Sequence, residues 1–262
     1  MRIDLSNKIA VITGATGDLG RVMVTTLAEC GADVVIHYLR NKEKAEELSR
    51  KVTAIGRRAL VLQADVTQFD SVKAMQRQVS KDLGDPDILV NNAVIQYEWV
   101  AALDQAVEDY ESQFRSCVLH NVFMAKTFVP AMIKKGWGRV IGINTECVLQ
   151  RWPSQSAYVS GKQGMDGFLS TLAKEVGQHG VTVNQIAPGW MLSDRYRAPN
   201  RLSGSSRRAS KAYEAMLPLK HRGEDQDIAN LVAFLASDLA RFITDAFIPV
   251  NGGGVTIPPW LQ

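Results

Sequence analysis

Tyr158 and Lys162 stand four residues apart in Ala157-Tyr158-Val159-Ser160-Gly161-Lys162, at the head of a long helical pattern. On a helix that spacing puts both side chains on one face. A phenol titrates near pH ~10, too high for easy proton exchange at neutrality. A nearby cation stabilises the phenolate and lowers that value, so the pair is a candidate general acid/base. A Tyr and a Lys also fall four apart by chance in many helices, so the elements around the pair must decide.

Those elements alternate. Short apolar, β-branched runs are predicted as strands at 9–12, 34–36, 59–62, 87–90, 139–143, 181–184 and 247–250. Helical patterns are predicted between them, at 18–30, 41–54, 68–83, 109–135, 157–177 and 225–237. Met1–Leu5 is expected to lead straight into the first strand. Continuous apolar strands separated by helices imply a parallel sheet covered on both faces. The expected class is therefore α/β: a doubly wound, Rossmann-type parallel sheet in a single domain over 1–262, with ligands at the carboxyl ends of its strands.

A glycine-rich octad, Thr13-Gly14-Ala15-Thr16-Gly17-Asp18-Leu19-Gly20, lies between the first strand and the first helix. There glycines permit a tight turn, let the backbone approach a pyrophosphate, and present helix N–H groups to the anion. The bland alternative is an ordinary turn. After the second strand the chain reads His37-Tyr38-Leu39-Arg40-Asn41-Lys42, with no acid to bind a ribose 2′-hydroxyl. Arg40 or Lys42 could meet a 2′-phosphate, which favours NADP while leaving NAD possible. Alternatively, both begin a solvated helix.

Composition bounds the rest. With 262 residues, 46% hydrophobic and 22% charged, the chain suits one globular domain with a sizeable core. A net charge of +3 gives no argument for nucleic acid, and no apolar run suggests a membrane span. No secretory segment is evident, so the expected compartment is cytoplasmic. The three cysteines, Cys30, Cys117 and Cys147, suggest neither a disulfide framework nor a metal site. The histidines His37, His120, His179 and His221 read as structural or surface residues.

Taken together, the glycine octad, Asp65-Val66, Asn91-Asn92-Ala93, the Tyr158–Lys162 pair, Val183-Asn184-Gln185-Ile186-Ala187-Pro188-Gly189 and Ile248-Pro249-Val250-Asn251-Gly252-Gly253-Gly254 resemble the short-chain dehydrogenase/reductase family. The resemblance covers nearly the whole chain, and the single-domain branch, with its 3-oxoacyl-carrier-protein reductases and sugar or steroid dehydrogenases, matches best. It implies carbonyl–alcohol interconversion with a nicotinamide cofactor. Tyr158 would exchange the proton. Lys162 would hold the cofactor ribose and depress the Tyr158 pKa. Gly14, Thr16, Gly17, Leu19 and Gly20 would cradle the pyrophosphate and Arg40 the adenosine ribose. Asp65 and Val66 would contact adenine, with an N-cap or turn role as the bland reading of Asp65. Asn91 and Ala93 would line the ribose side. Pro188 and Gly189 would back the nicotinamide, with Ser193 near its carboxamide. A homodimer or homotetramer built on the long helices is the implied assembly, and the Ile257-Pro258-Pro259-Trp260 tail would reach a neighbour.

The chain departs from the family in several places. Thirteen residues before Tyr158, where a catalytic serine is usual, stands Thr145, which keeps a hydroxyl. Twenty-eight before that, Cys117 replaces a usual asparagine that helps hold a relay water, with His120 and Asn121 as helpers one turn along. Asp18 stands where the single-domain branch usually has glycine and is expected to point outward, and Val94 also replaces a usual glycine. A substrate lid over about 190–216 carries Arg195, Arg197, Arg201, Arg207, Arg208 and Lys211, reading either as an anion-binding lid or as a solvated face. Tyr97, Trp99, Trp152 and Trp190 are expected around the substrate mouth, favouring a ring or sugar face. Glu146 could bind a hydroxyl or a cation. The alternatives to carbonyl reduction are a cofactor-binding sensor or subunit with little turnover, and an epimerase or lyase.

Overall fold

A computed structural model describes residues 2–192 and 204–254. Seven parallel strands, β1 (Ile9–Ile12), β2 (Asp33–Tyr38), β3 (Ala59–Gln63), β4 (Ile88–Asn91), β5 (Gly138–Ile143), β6 (Val181–Pro188) and β7 (Phe247–Val250), form one sheet in the order β3-β2-β1-β4-β5-β6-β7. Every residue of β1, β4, β5 and β6 is buried, because helices cover both faces. That is why these strands read as continuous apolar runs rather than alternating ones.

One face carries α1 (Asp18–Glu29), α2 (Lys42–Ala54) and α9 (Asp225–Ala236). Met23, Val24 and Leu27 of α1 share a core with Leu48 of α2 and Ile228 and Val232 of α9. The other face carries α3 (Phe69–Asp82), α5 (His120–Lys135) and α7 (Ser156–Val176), the last preceded by the short α6 (Cys147–Gln150), with Val72, Phe128, Met132, Met165 and Leu169 in a second core. Burying each of these apolar side chains stabilises the fold by about 1.5–3 kcal/mol. Strand order reverses between β1 and β4, which opens a crevice at their carboxyl ends.

The expected single helix over 109–135 is interrupted. α4 (Val107–Gln113) passes into a π-helical turn, Phe114–Leu119, before α5 begins. Such a turn adds one residue to the helical ladder. Gly161 and Gly164 of α7 face this segment. A Cβ on Gly161 would come within 2.9 Å of the Gln113 carbonyl oxygen, and one on Gly164 within 2.8 Å of Val118 Cγ2. The run Val107–Lys135 is the one stretch among the described residues long and apolar enough to span a membrane, and 56% of its apolar window is buried. Cys117, Met124, Phe128 and Met132 pack into the core, so we read it as a core helix. Residues 2–5 form no strand, although Leu5 is buried.

A buried polar network joins β5, β6 and α7. Asn144 Nδ2 donates to Gln185 Oε1 at 2.7 Å and to the Lys162 carbonyl at 3.2 Å. Gln185 Nε2 donates to Asp166 Oδ1 at 2.7 Å. Asn144 Oδ1 accepts from the Thr145 N–H at 2.9 Å. Removing a buried partner leaves the others unmet, at about 1–3 kcal/mol each. Asn144→Ala is expected to lower stability by about 2–3 kcal/mol in urea unfolding, well beyond a surface substitution.

Candidate active site

The glycine turn follows β1 at the crevice. Gly14 has a φ of +61°, in the left-handed region, and a Cβ there would meet the Ala93 Cα at 3.0 Å. A Cβ on Gly20 would collide with the Gly14 carbonyl oxygen and sit 2.8 Å from the Ala15 Cα. Gly17 caps α1 in an extended conformation and has no side chain to fill the cap. The first N–H groups of α1 therefore face outward without a side-chain acceptor, as an anion site requires. Asp18 is exposed, as expected, and leaves this cradle open. Thr16 and Leu19 are half-buried beside it. The cradle fits a dinucleotide pyrophosphate.

Three side chains hold the turn in place. Thr13 Oγ1 accepts from the N–H groups of Asn92 and Ala93 at 2.9 and 3.1 Å. Asn92 Nδ2 donates to the Thr13 and Gly14 carbonyls at 3.0 and 3.2 Å. His37 Nδ1 accepts from the Gly14 N–H at 2.9 Å, and its Nε2 donates to the Ala64 carbonyl at 2.9 Å. The structural reading of His37 holds, but this histidine shapes the phosphate turn itself. Burial pushes its pKa down.

Around the crevice, Arg40 is exposed just after β2, and Lys42 pairs with Glu46 at 3.5 Å on α2. Asp65 follows the bland reading in part: its Oδ1 accepts from the Thr67 N–H at 2.9 Å and hydroxyl at 2.7 Å. Val66 is buried in the second core. Asn91 is buried, with Nδ2 donating to Asn121 Oδ1 at 2.7 Å. Pro188 ends β6, and a Cβ on the next residue, Gly189, would lie 2.8 Å from Tyr213 Oη. Ser193, Arg195, Arg197, Arg201 and Ile257–Trp260 lie outside the described residues.

Tyr158, Thr145 and Lys162 come together at the carboxyl edge of β5. Tyr158 and Thr145 line one cavity of about 410 Å³. Lys162 is buried behind them, donating to the Ile143 carbonyl at 2.5 Å, with Met165 Sδ at 3.9 Å. Its Nζ lies 5.9 Å from the centre of the Tyr158 ring. The expected lowering of the Tyr158 pKa by Lys162 is not what the structure shows. Burial of the hydroxyl dominates and raises it, with a hydrogen bond to Thr145 opposing. Burial also lowers the Lys162 pKa.

Cys117 sits in the π-helical turn, its Sγ 3.8 Å from Gln113 Oε1. Its carbonyl accepts from Asn121 Nδ2 at 2.6 Å, and both helpers named above, His120 and Asn121, are buried. His120 is fully buried, with Nδ1 on the Ser116 carbonyl at 3.1 Å, and burial pushes its pKa down to about 3.

The cavity is walled by Tyr97, Trp99, Trp152 and Trp190, as expected. Tyr97 Oη accepts from the Tyr158 N–H at 2.6 Å, meeting an orphan donor in the first turn of α7. The Trp99 and Tyr158 rings lie 5.8 Å apart. α8 (Gly204–Met216) closes one side with Tyr213, which the sequence reading did not single out. Nothing local marks it, since it reaches the cavity across 67 positions from Glu146. Arg207, Arg208 and Lys211 on α8 are exposed and do not line the cavity, as a solvated face would place them.

The family described as enoyl-(acyl carrier protein) reductase matches residues 14–255. The chain is similar to the 3-oxoacyl-(acyl-carrier-protein) reductase FabG of Staphylococcus epidermidis, 36% identical over 257 residues, covering 94% of this chain and 98% of that one. The chain belongs to the short-chain dehydrogenase/reductase family. Nodulation protein G of Azospirillum brasilense is 35% identical over 250 residues, covering 95% and 98% of the two chains. L-Sorbose reductase from Gluconobacter frateurii, solved with NADPH and L-sorbose, superposes with a TM-score of 0.90 at 27% identity over 98% of this chain and 100% of that one. Membership carries with it NAD(P)-dependent oxidoreductase activity.

His37 and His120 both have folded-state pKa values below the unfolded 6.5. Their contribution is complete above pH ~6.5 and is lost as pH falls, because the unfolded chain takes up protons first. Unfolding free energy should drop by up to about 1.4 kcal/mol per pH unit for each histidine below that point. Urea unfolding between pH 7.5 and 5 checks this, and His120→Gln should flatten the slope.

Proposed function

We propose that the chain reduces a carbonyl to a secondary alcohol, with Tyr158 as proton donor. One observation carries the reading: Tyr158 and Thr145 line a single cavity with the buried Lys162 amine behind them. A bound nicotinamide dinucleotide would supply the hydride. Gly14, Thr16, Gly17, Leu19 and Gly20 would hold its pyrophosphate, Arg40 its adenosine ribose, and Asp65 and Val66 its adenine. Asn91, Ala93, Lys162, Pro188, Gly189 and Ser193 would take the nicotinamide half.

Burial favours the neutral phenol, so Tyr158 holds its proton at neutral pH and is ready to give it to a carbonyl oxygen. Thr145 steadies the same oxygen as it gains charge, the point where preorganised donors contribute most. Its hydroxyl also accepts from the Cys147 N–H at 3.2 Å, which fixes its rotamer. Lys162 places a positive charge behind the reacting edge. Asn91 Nδ2 donates to Asn121 Oδ1 and Asn121 Nδ2 to the Cys117 carbonyl, a chain that fixes the backbone of the π-helical turn where Cys117 replaces the family's asparagine.

NADP is the preferred cofactor in this reading, supported by Arg40 and by the lack of an acid after β2. Such a reaction draws on the cytoplasmic cofactor pool, the compartment we assign. Tyr158→Phe should still bind NADPH yet lose about 10²–10⁴-fold in turnover, read as NADPH oxidation with a panel of ketones. Near-normal rates would remove Tyr158 from the chemistry. A fluorescence titration should give tighter binding of NADPH than of NADH; the reverse order overturns the NADP preference.

A further inference from the structure

His37 of β2 is 2% exposed, and its neighbour on the same strand face, Val35, belongs to the second core. Its two ring nitrogens meet opposite kinds of partner. The Ala64 carbonyl at 2.9 Å can only accept, so Nε2 carries the proton. The Gly14 N–H at 2.9 Å can only donate, so Nδ1 is bare. One neutral tautomer satisfies both contacts. A cationic ring would set an N–H of its own against the Gly14 N–H. Asp65, just past β3, favours the cation, but burial outweighs it and pushes the His37 pKa down. His120 of α5 also feels the ring as a like charge, and Lys162 of α7 acts on His120 in turn.

The backbone of the same residue adds a second tie: the His37 carbonyl accepts from the Ala15 N–H at 3.0 Å. His37 thus takes both amides at the head of the glycine turn, and neither is left to face an anion. The pyrophosphate falls to the amides at the start of α1. Their aim is set through Gly14. The Gly14 carbonyl accepts from the Gly17 N–H at 3.1 Å, Gly17 caps α1, and a Cβ on Gly20 would collide with that same carbonyl. A shift of Gly14 is therefore carried straight into the first turn of α1. An imidazolium would attract a diphosphate, but the two partners of this ring exclude that form.

We propose that His37 is a positioning residue for the dinucleotide: a neutral hydrogen-bond acceptor that aims the first amides of α1 at the pyrophosphate and stays neutral when the diphosphate is bound. The proposal deepens the cofactor-binding reading above and rests on it. His37 acts through Gly14 and makes no contact with the reacting atoms. Its influence therefore falls on cofactor affinity, while hydride and proton transfer at saturating cofactor are left as they are.

Two substitutions separate the ring nitrogens. His37→Asn keeps an acceptor where Nδ1 stands, and His37→Gln keeps a donor where Nε2 stands. In a fluorescence titration of the full chain, the NADPH Kd of His37→Asn should stay within about threefold of wild type, while His37→Gln weakens binding about tenfold, as expected for losing one hydrogen bond. Each variant gives up one hydrogen bond of the fold, so urea unfolding of the apoprotein should lower both by similar amounts: affinity parts them where stability does not. Nitrogen NMR of histidine-labelled wild type saturated with NADPH should show His37 neutral, with its proton on Nε2. Equal Kd values for the two variants, or a cationic His37 in the complex at neutral pH, overturns the proposal and leaves cofactor binding standing. So does a wild-type affinity that rises relative to His37→Asn as the pH is lowered, the behaviour of a cation on phosphate. The NMR measurement uses the wild type alone and decides even where a substitution prevents folding. If the wild type binds neither NADPH nor NADH, the cofactor-binding reading falls and the proposal falls with it.

Discussion

An ammonium group buried without a carboxylate is the constraint around which this molecule is arranged. Lys162 is 3% exposed, and no acid among the described residues pairs with it. Its partners are the Ile143 carbonyl and a thioether sulfur. An uncompensated buried charge is costly, and proteins retain one where the field it creates is used. The surrounding architecture keeps that charge from escaping to water. Asn144 holds the Lys162 carbonyl, Gln185 holds Asn144, and Asp166 holds Gln185, so the backbone of α7 is clamped to β5 and β6. The same clamp sets the Thr145 amide. Position of the cation and position of the substrate-facing hydroxyl are thus one structural fact.

The phosphate side of the crevice is organised in a similar manner. Thr13 and Asn92 tie the end of β1 to the chain leaving β4, and His37 ties it to β2. Three neighbouring strands therefore converge on Gly14. Backbone N–H groups can point at an anion only if the turn that carries them is held, because a free turn would spend conformational entropy on binding. Glycine supplies the geometry there and the flanking side chains supply the stiffness.

Much of this was legible in the sequence because it depends on local pattern. Strands buried on both faces leave uninterrupted apolar runs, so β1 and β7 were expected at their observed limits. Helix limits came within about three residues, except at the π-helical turn, whose extra residue leaves no mark in hydrophobic periodicity. The grouping of Tyr158, Lys162 and Thr145 could be anticipated because their spacing is fixed along one chain segment and the helix that follows it. Tyr97 and the three tryptophans were placed by the loops they occupy. Tyr213, the Asn144–Gln185–Asp166 network and the role of His37 were not legible, since each joins residues distant in sequence. The direction of the Tyr158 pKa was also misjudged. A four-residue spacing shows that two groups share a helix face, but how deeply the hydroxyl is buried depends on Trp99, Tyr97 and the cavity as a whole.

The π-helical turn at Phe114–Leu119 has a consequence for how the chain can change. It acts as a phase slip of one residue between two otherwise regular helices. Each residue of an α-helix turns the chain by about 100°. Upstream, α4 keeps Gln113 against Gly161; downstream, α5 keeps Asn121 against Asn91. Because the slip uncouples the two angular registers, the outer and inner segments can drift in sequence independently. Losing a single residue in the slip would close the ladder into regular α-helix, and the widened turn that offers the Cys117 carbonyl to Asn121 would go with it.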